Sequence, residues 1–335
     1  MQYFYSKIFK LPTAFLITAL FSLFVGYRLG AFWTDRSNEG PRPLRVKDSN
    51  FEFINPLLGL DYSEKKNFVE FESLQKKIKS FTNDSISNGD VKTISVYFRD
   101  PMTGHWLGLN EDMSFLPGSL LKVPVMIAYF KEAEANPDIL SKKLYYKGPE
   151  QGGMKPRQPK TTLLLPNRYY TIDELIRSMI IESDNEALYL LLDSINPRYI
   201  KEVFGDLGIT LPQTNQYTMN LKTYSLFFRV LFNSTYLDRE FSERALKLLS
   251  QTTFEDGMVA GVADKSISIA HKYGERGVYE DDHILGVELS DCGVVYYPGH
   301  PYLLCVMALG GDVDKLKSTI SHISELAFED IKKQY

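Results

Sequence analysis

Ser119-Leu120-Leu121-Lys122 heads an apolar run, Val123 to Phe130, that suits a buried helix. Residues three apart share a helix face, so this spacing lets the Lys122 amine reach the Ser119 hydroxyl. A serine hydroxyl is a poor nucleophile until a base takes its proton. A lysine in an apolar wall sheds its own proton more readily, because desolvation penalises the charged form. The start of the helix adds N–H groups and positive potential where an oxyanion would form. Alone, the tetrad is also a chance spacing on a core helix. Downstream stand Ser183-Asp184-Asn185 and His271-Lys272-Tyr273-Gly274. The first is an ordinary helix-capping tripeptide when isolated, and the second an ordinary strand ending.

The order of the three motifs is that of the Ser-x-x-Lys, Ser-Asp-Asn and Lys-Thr-Gly set. On these residues the chain resembles the class A β-lactamases and penicillin-binding proteins. Thr93 to Gly104 is similar to the family's first hairpin, and Tyr170 to Ala187 to the helix that leads into Ser-Asp-Asn. The resemblance covers roughly residues 65–330. It implies a Ser119 nucleophile that attacks an amide and forms an acyl-enzyme, with Lys122 as its base. Ser183 would relay a proton between Lys122, Lys272 and the leaving nitrogen. Asn185 would hold a substrate amide and steady Lys122. Lys272 would supply positive potential opposite a substrate carboxylate. The oxyanion hole would use the backbone N–H of Ser119 and of Glu275, the residue after Gly274.

Two departures stand out. Class A β-lactamases carry a loop glutamate, in a Glu-x-x-Leu-Asn setting, that drives deacylation by water. The corresponding span, Ile209 to Tyr224, holds no Glu or Asp. An acyl-enzyme formed from a β-lactam is therefore expected to persist. Second, Tyr273 replaces the family's Thr or Ser, whose hydroxyl binds the substrate carboxylate. A tyrosine there is expected to narrow the cleft. Glu275 adds negative charge beside it, and Arg276 is a candidate carboxylate partner.

Several elements must position these residues. Phe68, Phe71, Leu74, Ile78 and Phe81 give helical spacing over 63–82, and Ile94, Val96 and Phe98 alternate with Ser95 and Tyr97 as on a half-buried strand. Pro101 to Gly104 turns the chain, and His105 starts the return strand at its edge. Leu120 to about Leu249 reads as mainly helical, interrupted by a long connection from Lys142 to Tyr170. Thr171-x-x-Glu174 is a capping box. Ser266 to Tyr273 alternates as a strand, and Gly274 lets the backbone approach a ligand. Val294 to Ala308 reads as a hairpin and Lys315 to Lys333 as a closing amphipathic helix. His271 is expected on the strand's far face, and His283, His300 and His322 on the surface or in loops. The fold class is α+β: a β-lactamase/transpeptidase-like antiparallel sheet flanked by helices, with an inserted helical lobe at about 119–255.

The 335 residues are 44% hydrophobic and 24% charged with a formal net charge of −4, which gives no reason to expect nucleic acid. Residues 1–10 carry Lys7 and Lys10, and Leu11 to Tyr27 holds no charge. Leu29 to Trp33 continues the apolar character. No small-x-small cleavage site follows, so an uncleaved signal-anchor over 11–33 is preferred to a cleaved signal peptide. Residues 1–10 would be cytoplasmic and 34–62 an extracytoplasmic linker. Within it Thr34 to Asn50 reads as a tether, and Phe51 to Leu60 as a strip docked on the domain of residues 63–335. The partners so implied are a membrane and a cell-wall peptide or β-lactam-like substrate, with no metal or organic cofactor. Cys292 and Cys305 are expected as buried free thiols, offset from each other across the hairpin.

The function expected is a membrane-anchored, extracytoplasmic serine acyl hydrolase. Its alternatives are a true β-lactamase and a weakly catalytic module that binds peptidoglycan or a partner. Soluble glutaminases share Ser-x-x-Lys, but the N-terminal apolar segment and the Ser-Asp-Asn helix argue against them.

Overall fold

Ile94, Val96 and Phe98 are buried on one face of their strand, and Ser95 and Tyr97 are equally buried on the other. This corrects the half-buried reading: the sheet is covered by helices on both sides, so alternation marks two cores rather than a core and a solvent face. The computed structural model describes residues 44–45, 51–59, 68–148, 164–210, 218–280 and 283–335. The span expected to cross a membrane, 11–33, lies outside the described residues. Among the described residues, no helix is long and apolar enough to cross one.

A short ladder of β1 (Leu44–Arg45) and β2 (Leu57–Gly59) interrupts the stretch expected to be a plain tether. Between them Phe53 and Ile54 are buried, and the Glu243 carboxylate accepts from the N–H groups of Glu52, Phe53 and Ile54. The strip is thus docked, as its apolar residues suggest. A single tight turn, Val69–Phe71, leads into α1 (Glu72–Ser87), and of the helix expected over 63–82 residues 63–67 lie outside the described residues. Next come β3 (Thr93–Arg99), β4 (Trp106–Leu109) and β5 (Ser114–Phe115).

The helical lobe follows, with α2 (Lys122–Ala135) buried along most of its length. The long connection opens and closes as a two-stranded ladder, β6 (Lys143–Tyr146) with β7 (Arg168–Thr171), an order its Gly and Pro content hid. Thr171 caps α3 (Ile172–Ile181) through the expected reciprocal box with Glu174. Then come α4 (Asn185–Ser194), α5 (Pro197–Asp206), β8 (Met219–Asn220), α6 (Leu221–Phe232) and α7 (Arg239–Leu249). A short α8 (Met258–Gly261) precedes β9 (Ile269–Glu280), β10 (His283–Val295), β11 (Tyr302–Gly310) and α9 (Val313–Gln334).

The main sheet is antiparallel in the order β4-β3-β11-β10-β9. One face packs on α1 and α9 through Leu74, Ile78, Val96, Leu304, Ile320 and Phe328. The other packs on the lobe through Tyr97, Val294, Met307 and Phe227. The edge strand β9, which carries the third motif, is left beside the lobe.

Cys292 lies directly opposite Cys305 in the β10–β11 ladder and is bonded to it. This corrects the expected offset and the expected free thiols. Val295 pairs with Tyr302, so the connecting turn spans 296–301, longer than the Pro298–Pro301 turn assumed. Side chains opposed on one face of a ladder lie within bonding reach.

Candidate active site

The Ser-x-x-Lys motif sits on a tight turn, Gly118–Leu121, with the helix α2 starting at Lys122. Leu120 is fully buried and anchors that turn, and the Tyr224 hydroxyl donates to the Leu120 carbonyl at 3.0 Å. Ser119 itself stays partly exposed.

Lys122 is 0% exposed, yet its amine is surrounded by oxygen. Nζ donates to the Ser183 main-chain oxygen at 2.6 Å and to Asn185 Oδ1 at 2.6 Å. It lies 3.2 Å from the hydroxyls of both Ser119 and Ser183. The two short partners can only accept, whereas the hydroxyls can also donate. A neutral amine fits this cradle by directing two N–H bonds at the fixed acceptors and its lone pair at a hydroxyl. An ammonium fits it with three donors. The geometry therefore accommodates both states of a base that takes and returns the Ser119 proton.

Ser183 reaches Lys122 by an unusual backbone: its φ is +55°, in the left-handed region that non-glycine residues rarely occupy. This turn between α3 and α4 presents both its carbonyl and its hydroxyl to one amine. Asp184 holds the turn. Its carboxylate accepts from the N–H groups of Glu186 and Ala187, capping α4, and from the Ser178 hydroxyl at 3.1 Å. Asp184 stands inside the recognised motif, and its capping role is legible from its place before a helix.

Lys272, Gly274 and Arg276 share one face of β9, and His271, Tyr273 and Glu275 the other. Lys272 is fully buried on the lobe side. A Cβ at Gly274 would lie 2.9 Å from the Pro117 carbonyl and 3.3 Å from the Leu120 nitrogen, so the third motif packs directly on the Ser119 turn. Its glycine permits that approach, and Glu275 follows at once. Arg276 pairs in register with Glu288. The Glu288 carboxylate accepts from Leu116 N–H at 3.0 Å, just ahead of Pro117 and Gly118. Burial pushes this carboxyl above its ordinary range, against the pull of Leu116 N–H and Arg276.

Tyr273 does not simply intrude into the cleft. Its ring stacks on Phe254, with centroids 3.9 Å apart and planes at 15°, and Lys272 Nζ lies 4.5 Å from its centroid. Burial, followed by the carboxylates of Glu275, Asp291 and Glu182, pushes the phenol up to about 12. His271 sits on the opposite face from Lys272, with Nδ1 2.8 Å from Asp291 Oδ1, both buried.

A strap of three residues, without any sequence motif, ties the two halves of the site together. The Thr252 hydroxyl donates to the His271 carbonyl on β9. Thr253 N–H donates to the Ile181 carbonyl, and its hydroxyl lies 3.3 Å from Glu182 Oε2. Phe254 covers Tyr273. No local signal in the sequence marks these partners, which lie about 70 residues apart along the chain in one case. Among the described residues, no group of His, Cys, Asp and Glu could hold a metal ion.

Comparison with known proteins agrees with this architecture. The PBP-A structure is 22% identical and superposes with a TM-score of 0.63 over 78% of this chain and 97% of its own. A mutant of PBP-A solved as an acyl-enzyme complex with penicillin G gives 22% and 0.62, over 78% of this chain and 97% of its own. A class A β-lactamase from Mycobacterium abscessus is 20% identical, with a TM-score of 0.63 over 77% of this chain and 99% of its own. A search of curated protein sequences finds no match. The model of the β-lactamase enzyme family matches residues 73–331. On that match, which spans all three motifs, the chain belongs to the β-lactamase enzyme family.

Proposed function

We propose that this protein is a serine acyl hydrolase, anchored by residues 11–33 and working outside the membrane on an amide or ester of the cell envelope, with a muropeptide as the leading substrate. The observation that carries the reading is the Lys122 amine held among Ser119, Ser183 and Asn185. In the first half-reaction Ser119 Oγ bonds to the substrate carbonyl carbon and the bond to the leaving nitrogen or oxygen breaks. The hydroxyl proton passes by Lys122 and Ser183 to the leaving atom. In the second, water oxygen bonds to the same carbon, the ester to Ser119 breaks, and a water proton returns to Oγ. The Cys292–Cys305 disulfide supports an oxidising compartment.

The test is intact mass of the full chain in detergent, wild type beside Ser119→Ala, with a fluorophosphonate and with a labelled penicillin. A fluorophosphonate adduct lost in Ser119→Ala is expected. Any penicillin adduct should persist for hours, since Ile209 to Tyr224 offers no carboxylate to activate water. A transient adduct with hydrolysed drug would make the chain a β-lactamase instead. Absence of every adduct would leave a binding module.

A further inference from the structure

The leaving side of the site can be located from the residues that would serve it. Under the acyl-enzyme reading, on which this inference rests, Ser183 delivers the proton to the departing atom. The departing group then lies between the Ser183 turn and the β9 edge. Glu182 immediately precedes Ser183 and is held by Thr253 of the strap. Thr253 is followed by Phe254, whose ring stacks on Tyr273, with the Lys272 amine over the Tyr273 ring.

The charges here are arranged against an anion. Arg276 pairs in register with Glu288 on its own sheet. Lys272 sits close to an aromatic ring, a favourable partner for a cation. Glu182 and Glu275 both remain partly exposed, Glu182 is held by Thr253 next to the Phe254 that stacks on Tyr273, and both carboxylates push the phenol up. Asp291 also acts on it, from a buried position where it binds His271 and Met258 N–H. An incoming carboxylate would meet like charge from Glu182 beside the Ser183 turn. A neutral group would meet a protonated phenol able to donate or accept. A cation would gain from the carboxylates.

We propose that the group expelled from the substrate's carbonyl carbon as Ser119 attacks is neutral or cationic, and that Tyr273, Phe254 and Glu182 set this preference. The acyl donor would thus be an amide or ester whose leaving part bears an amide or an ammonium group rather than a terminal carboxylate.

Three thioesters of N-benzoylglycine test this, with mercaptoacetate, mercaptoacetamide or thiocholine as leaving group. In each, Ser119 Oγ bonds to the carbonyl carbon, the carbon–sulfur bond breaks, and the serine proton goes to sulfur, so a thiol reagent reads the release. The full chain in detergent should expel thiocholine fastest and mercaptoacetate at least about tenfold slower, a gap of about 1.4 kcal/mol. Glu182→Gln should shrink the thiocholine-to-mercaptoacetate ratio severalfold, and Tyr273→Thr should raise mercaptoacetate release relative to mercaptoacetamide. Because the readout is a ratio, a general loss of rate does not mimic the effect. Equal rates, or mercaptoacetate first, in the wild-type protein would overturn the proposal even if neither variant folds. A fluorophosphonate adduct on Ser119 in the same preparation shows that the nucleophile works. Its absence would overturn the acyl-enzyme reading itself, a result distinct from a reversed charge preference.

Discussion

Lys122 Nζ lies 2.6 Å from the main-chain oxygen of Ser183, a residue held at a φ of +55°. The left-handed turn makes this contact, since an extended or helical Ser183 would send its carbonyl elsewhere. Strain in the second motif is thereby coupled to the position of the first motif's amine. Asp184, which caps α4 and binds the Ser178 hydroxyl, keeps the turn from relaxing.

Lys122→Met removes the amine while filling much of its volume. Adduct formation at Ser119 with a fluorophosphonate should fall by about 10²–10⁴-fold, the range typical of a lost general base. Labelling kinetics followed by intact mass give the number, and a far-ultraviolet circular dichroism spectrum like wild type shows that the fold survives. A wild-type rate in a folded variant would remove Lys122 from the mechanism.

Gly274→Ala tests the contact between β9 and the nucleophile's turn. The added methyl meets the Pro117 carbonyl and the Leu120 nitrogen, both backbone atoms with little room to give. The expected result is a stability loss of about 1–3 kcal/mol, as for overpacking, with a fall in Ser119 acylation. Denaturant unfolding and labelling rate measure the two effects separately. Unchanged values for both would mean that the strand and turn are not in tight contact.

Glu288 makes stability depend on pH in a defined direction. Its carboxyl is raised by burial, so the folded chain binds that proton more tightly than the unfolded chain. The associated stability is present below the ordinary carboxylate range and is lost as pH rises through the raised value. Glu288→Gln keeps an acceptor for Leu116 N–H without titrating. Its melting temperature relative to wild type should therefore increase between about pH 4 and pH 7. A difference that stays flat across this range would show that Glu288 is not perturbed.

The disulfide gives a fourth expectation. Protein exported to an oxidising compartment should show no thiol in denaturant until a reductant is added. Replacing both Cys292 and Cys305 by Ala should cost about 2–4 kcal/mol in denaturant unfolding. Two titratable thiols in the unreduced, exported protein would contradict the bond.

Much of this was legible along the chain. Ser119 and Lys122 are three residues apart, so one helical turn brings them together, and their meeting requires no knowledge of the fold. The Thr171 box and the helix after Asp184 follow from local capping chemistry. Alternation in 93–99 and around Lys272 identified strands, and the order of the three motifs identified the family. Periodicity reports which residues are buried but not what buries them, so the second covered face of β3 was missed. Turn length was also ambiguous, which misplaced Cys292 against Cys305 by register.

The sequence by itself determined the chemistry on offer: a serine with a lysine one turn away, a Ser-Asp-Asn, and a lysine beside a glycine on a strand. Only the tertiary structure decided what surrounds those groups. Phe254 reaches Tyr273, Glu288 reaches Leu116 N–H, and Thr253 reaches Glu182, each across a long stretch of chain. Such contacts arise where separate elements pack, and no local pattern encodes them, because each partner's own neighbours dictate only its helix, strand or turn.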